Sequence, residues 1–473
     1  MDPEALCWLS AVELSALYRR RRLSPVEVVD AVLARIEKVN PRLNAYVLVT
    51  GDRARRQARA AERALGRRAR RLGPLHGVPY SLKDVVLTRG LPTTFGTPLL
   101  RDNVPAEDAP VEERLQAAGG ILVGKTNTPT FGWIAATHNL LFGATRNPWQ
   151  LDRTPGGSSG GASAAVAAGL APLAVGTDGG GSIRIPAAFT GIVGFKPSFG
   201  RIPMYPPPGY AWSLSNLGPL TRTVADAALM MDVMAGPDER DPCSLPADGA
   251  RYLAAARSPS VRGLRLAYAD DLGFNEALDP EVAAVCGQAV RAFREAGGRV
   301  ERIEPGWPSP KDCWEQIFLG GLAVRLQPFL DRKDEIDPGL RPVLEAMLRN
   351  PPTRYVQAWF DRLTWWRHPQ RLFETYDLLL TPTVACAPFA IGLDNAPEIA
   401  GRPVTPYGWM PFTFPFNLTG QPAASVPAGF TRQGLPVGLQ IVGRRFDDVT
   451  VIRAAAAFER ERPWRQHRPP LAG

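Results

Sequence analysis

A large α/β domain, a sheet of short buried strands covered on both faces by helices, is the fold class this chain predicts. Two observations carry it. From residue 73 the sequence alternates short apolar runs punctuated by Gly and Pro ("GPLHGVPYSLKDVV", "GGILVGKTN", "APLAVGTDG", "GIVGFKP") with helical stretches such as "APVEERLQAAGG" and "GGASAAVAAG". Alternation of that kind argues for helices packed on both sides of a sheet. Residues 263–305 then spell one strand–helix–strand unit, "GLRLAYADD", "DPEVAAVCGQAVRAFREAGG" and "RVERIEP".

The elements follow in order. Residues 1–72 form an N-terminal helical segment, with residues 5–65 reading as helix. Within it "SPVEVVDAVLARIEKVN" opens with a Ser cap, Pro in the first turn and Glu two residues later, then apolar residues at helical spacing. Residues 73–235 carry the strand-rich core. Residues 308–375 are helical, rich in Trp and Arg, and predict an insertion that shapes a substrate site. "YDLLLTPTV" returns to buried-strand character, "PAASVPAGF" and "LPVGLQIVG" flank "TRQG" as a hairpin, and "DDVTVIRAAAAFERER" closes the chain as a helix. No internal repeat is visible.

Composition narrows the function. The 473 residues are 45% hydrophobic and 21% charged, the balance of a soluble globular protein with a large core. The five cysteines (Cys7, Cys243, Cys286, Cys313, Cys386) are far apart. They predict reduced thiols in the cytoplasm, with no staple framework and no zinc site. The N-terminus lacks a signal-peptide core, and the apolar stretch "SAAVAAGLAPLAVG" is too short to span a bilayer. No membrane partner is expected. Much of the net charge of +9 comes from the basic stretch 53–71. No aromatic residues interleave with its arginines, so a solvated helix is favoured over a nucleic-acid platform.

Only six of the 55 basic residues are lysine: Lys38, Lys83, Lys125, Lys196, Lys311 and Lys333. Arginine keeps its proton in a protein, whereas a buried lysine can lose it. A lysine retained in an apolar setting therefore raises a functional question.

Two motifs mislead. "GGILVGKT" (119–126) fits the spacing of a phosphate-binding loop, but a helix precedes it and its variable positions want to be a buried strand. Gly157-Ser158-Ser159-Gly160-Gly161 fits a nucleophile elbow, but "LDRTPGG" before it is no strand, and only His368 and His467 follow.

The stretch "GTDGGGSIRIP" (176–186) is more promising. Three glycines with unobstructed N–H groups lead into Ser182, as an anion nest or oxyanion hole would need. Taken alone it reads first as a glycine turn with a capping serine. A base is required, and histidine is scarce. Lys83 ends an apolar strand in "GVPYSLKD"; buried, it would be a neutral acceptor, while on the surface it would pair with Asp84. Ser158 could bridge Ser182 and Lys83.

"GVPYSLKD", "GKTN", "TPGGSSGGAS" and "GTDGGGSIRIPAAFTGIVGFKPS" together resemble the amidase signature family, through 73–235 and again, more weakly, at 376–460 with "LLLTPT", "NLTGQPAASVPAG" and "GLPVGLQIVG". The resemblance implies a single α/β/α domain around a central mixed β-sheet. It implies Ser182 as nucleophile, Ser158 as the bridging serine after a cis Gly157–Ser158 peptide, and Lys83 as base. By the same resemblance Ser159 is supporting, the N–H groups of Gly179, Gly180, Gly181 and Ser182 line the oxyanion hole, and Asp178 and Arg184 brace the loop. The implied reaction is acyl transfer to water with no metal and no cofactor.

The family includes stand-alone amidases and the glutamine-hydrolysing A subunit of a tRNA-dependent amidotransferase. Met410 stands where that subunit carries an acid, and Trp314, Trp359, Trp365 and Trp366 replace its helical signature. The expected pocket residues are Phe131, Trp133, Tyr205, Tyr210, Trp212, Met410 and Phe412. Such a lining favours bulky apolar or aryl amides, with carbamates and esters as further substrates of the same attack. The expected partner is a small-molecule amide or carbamate, and the expected state a monomer or homodimer. The alternatives are the glutamine-hydrolysing amidotransferase component, or a non-catalytic binding subunit.

Overall fold

The computed structural model describes residues 2–66, 72–207 and 211–472. Its strands are β1 (Tyr46–Val49), β2 (Pro79–Lys83), β3 (Ile121–Thr126), β4 (Leu173–Asp178), β5 (Val193–Lys196), β6 (Asn216–Thr221), β7 (Arg265–Tyr268), β8 (Arg299–Arg302), β9 (Leu378–Pro382), β10 (Glu398–Ile399), β11 (Arg402–Pro403), β12 (Ala423–Phe430) and β13 (Pro436–Gly443). All but the small β10–β11 pair join one mixed sheet in the order β1-β3-β2-β4-β6-β5-β12-β13-β9-β7-β8. β2 runs parallel to both β3 and β4, β7 runs parallel to both β8 and β9, and the strands between β4 and β9 pair antiparallel. The large mixed α/β domain expected from the sequence is the fold observed.

Helices cover the sheet, and the apolar core divides between them. One cluster joins the helix Pro25–Leu43 (Val28, Val32, Ile36) to the C-terminal helix Asp448–Glu461 (Val451, Phe458) through the sheet. A second gathers the aromatic residues of the insertion (Trp314, Phe318, Trp365) with Trp409, Phe412 and Phe416, and a small third holds Val166, Ile183 and Leu220. The insertion is helical as read, from Lys311–Leu326 to Arg367–Thr375. Ser24 and Glu27 form the expected capping box.

One expectation needs adjustment and another holds. Residues 5–65 are not helical throughout, because Tyr46–Val49 pairs antiparallel with β3 at the sheet edge. Four apolar residues suffice to complete a strand when a partner already waits. The phosphate-loop spacing of residues 119–126 is mostly β3 itself, and an extended strand cannot curl around an anion. The Arg-rich helix spans Gly51–Gly66 and buries Ala54, Ala58 and Ala61 against its neighbours; residues 67–71 lie outside the described residues. No helix among the described residues is long and apolar enough to cross a membrane.

Candidate active site

Parallel pairing brings the first two site residues together. Leu82 of β2 registers with Val175 of β4, so Lys83 ends its strand beside Thr177 and Asp178. Adjacent parallel strands open at the same sheet edge, the usual place for a ligand site in such sheets. Lys83 is fully buried, and its Nζ lies 2.6 Å from Ser158 Oγ and 2.7 Å from Thr177 Oγ1. Burial pushes the ammonium down to about 7, opposed by the charge of Asp178. The surface pairing with Asp84 is absent. That carboxylate accepts from the N–H and hydroxyl of Thr94 and lies 3.9 Å from Lys125.

The two Gly/Ser stretches are stitched together. Ser159 N–H donates to the carbonyl of Ser182 at 3.2 Å. Ser159 Oγ donates to the carbonyl of Thr177 and accepts from its N–H, both at 3.2 Å. The peptide between Gly157 and Ser158 is cis. Ser158 and Ser159 are buried, and Ser182 is partly exposed. Gly132 closes over the pair with φ of 71°, and a Cβ there would sit 2.9 Å from Ser158 Oγ and 3.8 Å from Lys83 Nζ. Glycine is required both by the left-handed backbone and by the space.

Asp178 organises the loop that follows β4. Its carboxylate receives Arg184 Nε at 3.0 Å and Nη2 at 2.9 Å, Asn417 Nδ2 at 2.9 Å, and the N–H groups of Gly181 at 2.8 Å and Ile183 at 3.1 Å. Burial alone would raise Asp178, but the Arg184 guanidinium, with these hydrogen bonds and the Lys196 charge, holds it well below the usual carboxylate range. One expectation fails here. The N–H of Gly181 is taken by Asp178, so it does not line the oxyanion hole. The N–H groups of Gly179, Gly180 and Ser182 make no hydrogen bond among the described residues. Their directions are fixed from behind. Trp314 Nε1 donates to the Gly179 carbonyl at 2.9 Å, and Thr413 Oγ1 donates to the Gly180 carbonyl at 2.7 Å. Because a trans peptide is planar, pinning the Gly179 carbonyl turns the Gly180 N–H away from Trp314.

All four histidines are engaged elsewhere. His76 contacts the Ala61 carbonyl, His138 pairs with Asp394 at 2.8 Å, His368 packs on Trp365, and His467 packs on Phe430.

A cavity of about 710 Å³, counting its open mouth, reaches Lys83, Gly132 and Thr177. Phe131 and Tyr205 line it as expected, beside Phe95, Met204 and Arg325. The other pocket expectations divide. Trp133, Met410 and Phe412 lie in the aromatic core and not on the cavity, because an apolar side chain near a motif packs on whichever side the chain buries it. Trp212 is 46% exposed and stacks on Trp359 with ring centroids 6.1 Å apart; it borders a neighbouring depression. Tyr210 lies outside the described residues. Sequence reasoning missed Thr177, Arg325, Thr413 and Asn417, and gave Trp314 no contact with the glycine loop. Asn417 and Thr413 stand in "FTFPFNLTG", where a polar residue inside an apolar run was the available signal.

The amidase family model matches residues 27–452. An acylamidase from Rhodococcus erythropolis is 42% identical over 474 residues, covering 99% of this chain and 98% of the relative. The A subunit of glutamyl-tRNA(Gln) amidotransferase from Moorella thermoacetica is 39% identical over 494 residues, covering 98% of this chain and 99% of the relative. Among solved structures, a bacterial aryl acylamidase of the amidase signature enzymes superposes with a TM-score of 0.90 at 36% identity, covering 97% of each chain. A 6-aminohexanoate cyclic dimer hydrolase bound to its substrate reaches 0.89 at 31% identity, covering 99% of this chain and all of the other.

Proposed function

The chain belongs to the amidase signature family and is an amidohydrolase; from that premise we propose that it cleaves amides carrying bulky apolar or aryl groups through an acyl-enzyme on Ser182. The observation that carries this reading is a fully buried Lys83 whose Nζ, among the described residues, hydrogen-bonds to hydroxyl groups alone, those of Ser158 and Thr177.

The neutral amine of Lys83 takes the proton of Ser158 as Ser158 takes that of Ser182, and Ser182 Oγ attacks the carbonyl carbon. The carbonyl oxygen becomes an oxyanion facing the N–H groups of Gly179, Gly180 and Ser182. Ser158 returns the proton to the nitrogen as the C–N bond breaks, and the amine leaves. Water, deprotonated along the same path, attacks the acyl carbon and restores Ser182 with release of the acid. Carbamates and esters present the same carbonyl to the same attack, so they are further substrates of this reading.

Apolar and aromatic side chains around the cavity support a hydrophobic substrate. The acylamidase and aryl acylamidase relatives support the same class. A second reading, glutamine hydrolysis within an amidotransferase, draws on the 39% identity to the Moorella protein. The deciding experiment uses the purified chain alone. We expect hydrolysis of anilides, labelling of Ser182 by a fluorophosphonate, and loss of both in Ser182→Ala, with turnover falling about 10⁴-fold or more. Glutaminase activity without anilide hydrolysis would favour the second reading.

A further inference from the structure

The cavity beside Lys83 carries an uneven charge. Its described lining holds two cations, Lys83 and Arg325, and no carboxylate. Lys83 is neutral in the proposed working state, which leaves Arg325 as the fixed positive charge. Arg325 lies on the helix Lys311–Leu326 and is exposed at the mouth, its guanidinium 5.7 Å from the centroid of the Phe131 ring. Among the described residues no ion pair involves it. The same helix supplies Trp314 to the glycine loop, eleven residues earlier, or ~16 Å along the axis. One rigid element therefore carries both the tryptophan bonded to the glycine loop and a cation that lines the cavity.

The cavity also has a side. It touches Lys83, Thr177 and Gly132, and Gly132 abuts Ser158, whereas Ser182 and the three glycines are absent from its lining. The leaving nitrogen must sit where Ser158 can protonate it. Resting on the reading above, we propose that the cavity holds the amine half of the substrate and that Arg325 selects amines bearing an anionic group, with an aryl amine carrying a carboxylate distal to the scissile bond as the preferred class. The ring lies against Phe131 and Phe95, whose own rings are 5.5 Å apart, and the carboxylate meets the planar donors of the guanidinium, which match it in pairs.

The test separates binding from turnover. Dissociation constants for 4-acetamidobenzoate and 4-acetamidobenzamide are measured by calorimetry on Ser182→Ala, which binds without cleaving. The expected result is a preference for the carboxylate of about twofold to fivefold, as for an exposed ion pair. Arg325→Met in the same background abolishes the preference, Arg325→Lys retains part of it, and raised salt shrinks it. Equal affinities, no binding of either compound, or a preference that survives Arg325→Met would overturn the proposal. So would a dependence on Arg325 that appears only with a carboxylate on the acyl side, read with succinanilic acid against its amide. Failure of the unmodified enzyme to hydrolyse anilides would instead strike the proposed reaction, and the binding ratio would still be read.

Discussion

Three lysines are buried to the same degree within this sheet, and they are not equivalent. Lys83 ends β2, Lys125 lies in β3 and Lys196 ends β5. All three are fully buried, and burial pulls them down, Lys83 and Lys196 to about 7 and Lys125 to about 8. The difference lies in their partners. Lys196 donates to the carbonyls of Pro197 and Gln421. Lys125 donates to the carbonyl of Val86 and to two threonine hydroxyls, Thr88 and Thr93, whose own protons go to the carbonyls of Val86 and Leu91. Each of those two lysines donates to at least one backbone carbonyl, an oxygen that can only accept. Lys83 meets the hydroxyls of Ser158 and Thr177, which can donate as well as accept. Among the described residues Lys83 is the one of the three whose amine bonds only to hydroxyls, with no carbonyl holding it as an ammonium donor. The proton-acceptor role proposed for Lys83 therefore rests on what surrounds the lysine, not on its depth.

The comparison breaks most sharply by deleting one amine at a time. Lys83→Met is expected to lower kcat by about 10³-fold, at the scale of a lost general base, while the folded signal in circular dichroism persists. Lys125→Met removes a donor from the Val86 carbonyl and from the hydroxyls of Thr88 and Thr93, and is expected to lose about 1–3 kcal/mol of stability while activity per folded molecule holds. Denaturation and kinetics on both variants decide the matter, and equal losses of kcat would sink the distinction.

Asp178→Asn tests the brace beside Lys83. It leaves Arg184 as a buried charge without a full partner, and we expect about 3–5 kcal/mol of destabilisation, read as a fall in denaturation midpoint. The pH profile comes next. The ammonium of Lys83 cannot accept a proton, so kcat/KM should rise about tenfold per pH unit below the apparent value near 7 and level off above it. A flat profile between pH 5.5 and 8.5 would separate Lys83 from the reaction. The smallest effect belongs to Trp314→Phe, which keeps an aromatic ring and removes the hydrogen bond to Gly179. We expect kcat to fall by about threefold to tenfold through a loosened Gly180 N–H, at the cost of one hydrogen bond, with KM little changed.

Much of this was legible in the chain. The strand ending at Lys83, the glycine stretch ending at Ser182 and the helical insertion all carry local signals: apolar runs, glycine punctuation and Trp-rich periodicity. The fate of individual apolar residues was not legible. Phe131 and Tyr205 line the cavity while Trp133, Met410 and Phe412 fill the core, and nothing in their local sequence tells the two groups apart. The N–H of Gly181 had the same appearance as its neighbours until the side chain of Asp178 claimed it.

By itself the sequence determined the alternating α/β order, the scarcity of usable histidine, and a lysine at a strand end followed by serines among glycines. Those are properties of composition and short spacing, which are written in consecutive residues. Tertiary structure alone decided that Lys83 faces hydroxyls, that Asn417 and Arg184 meet on Asp178, and that Arg325 reaches the cavity of Lys83. Each of those contacts joins segments far apart in the chain, and side-chain identity states what a residue can bond to but not which distant partner the fold will bring within reach.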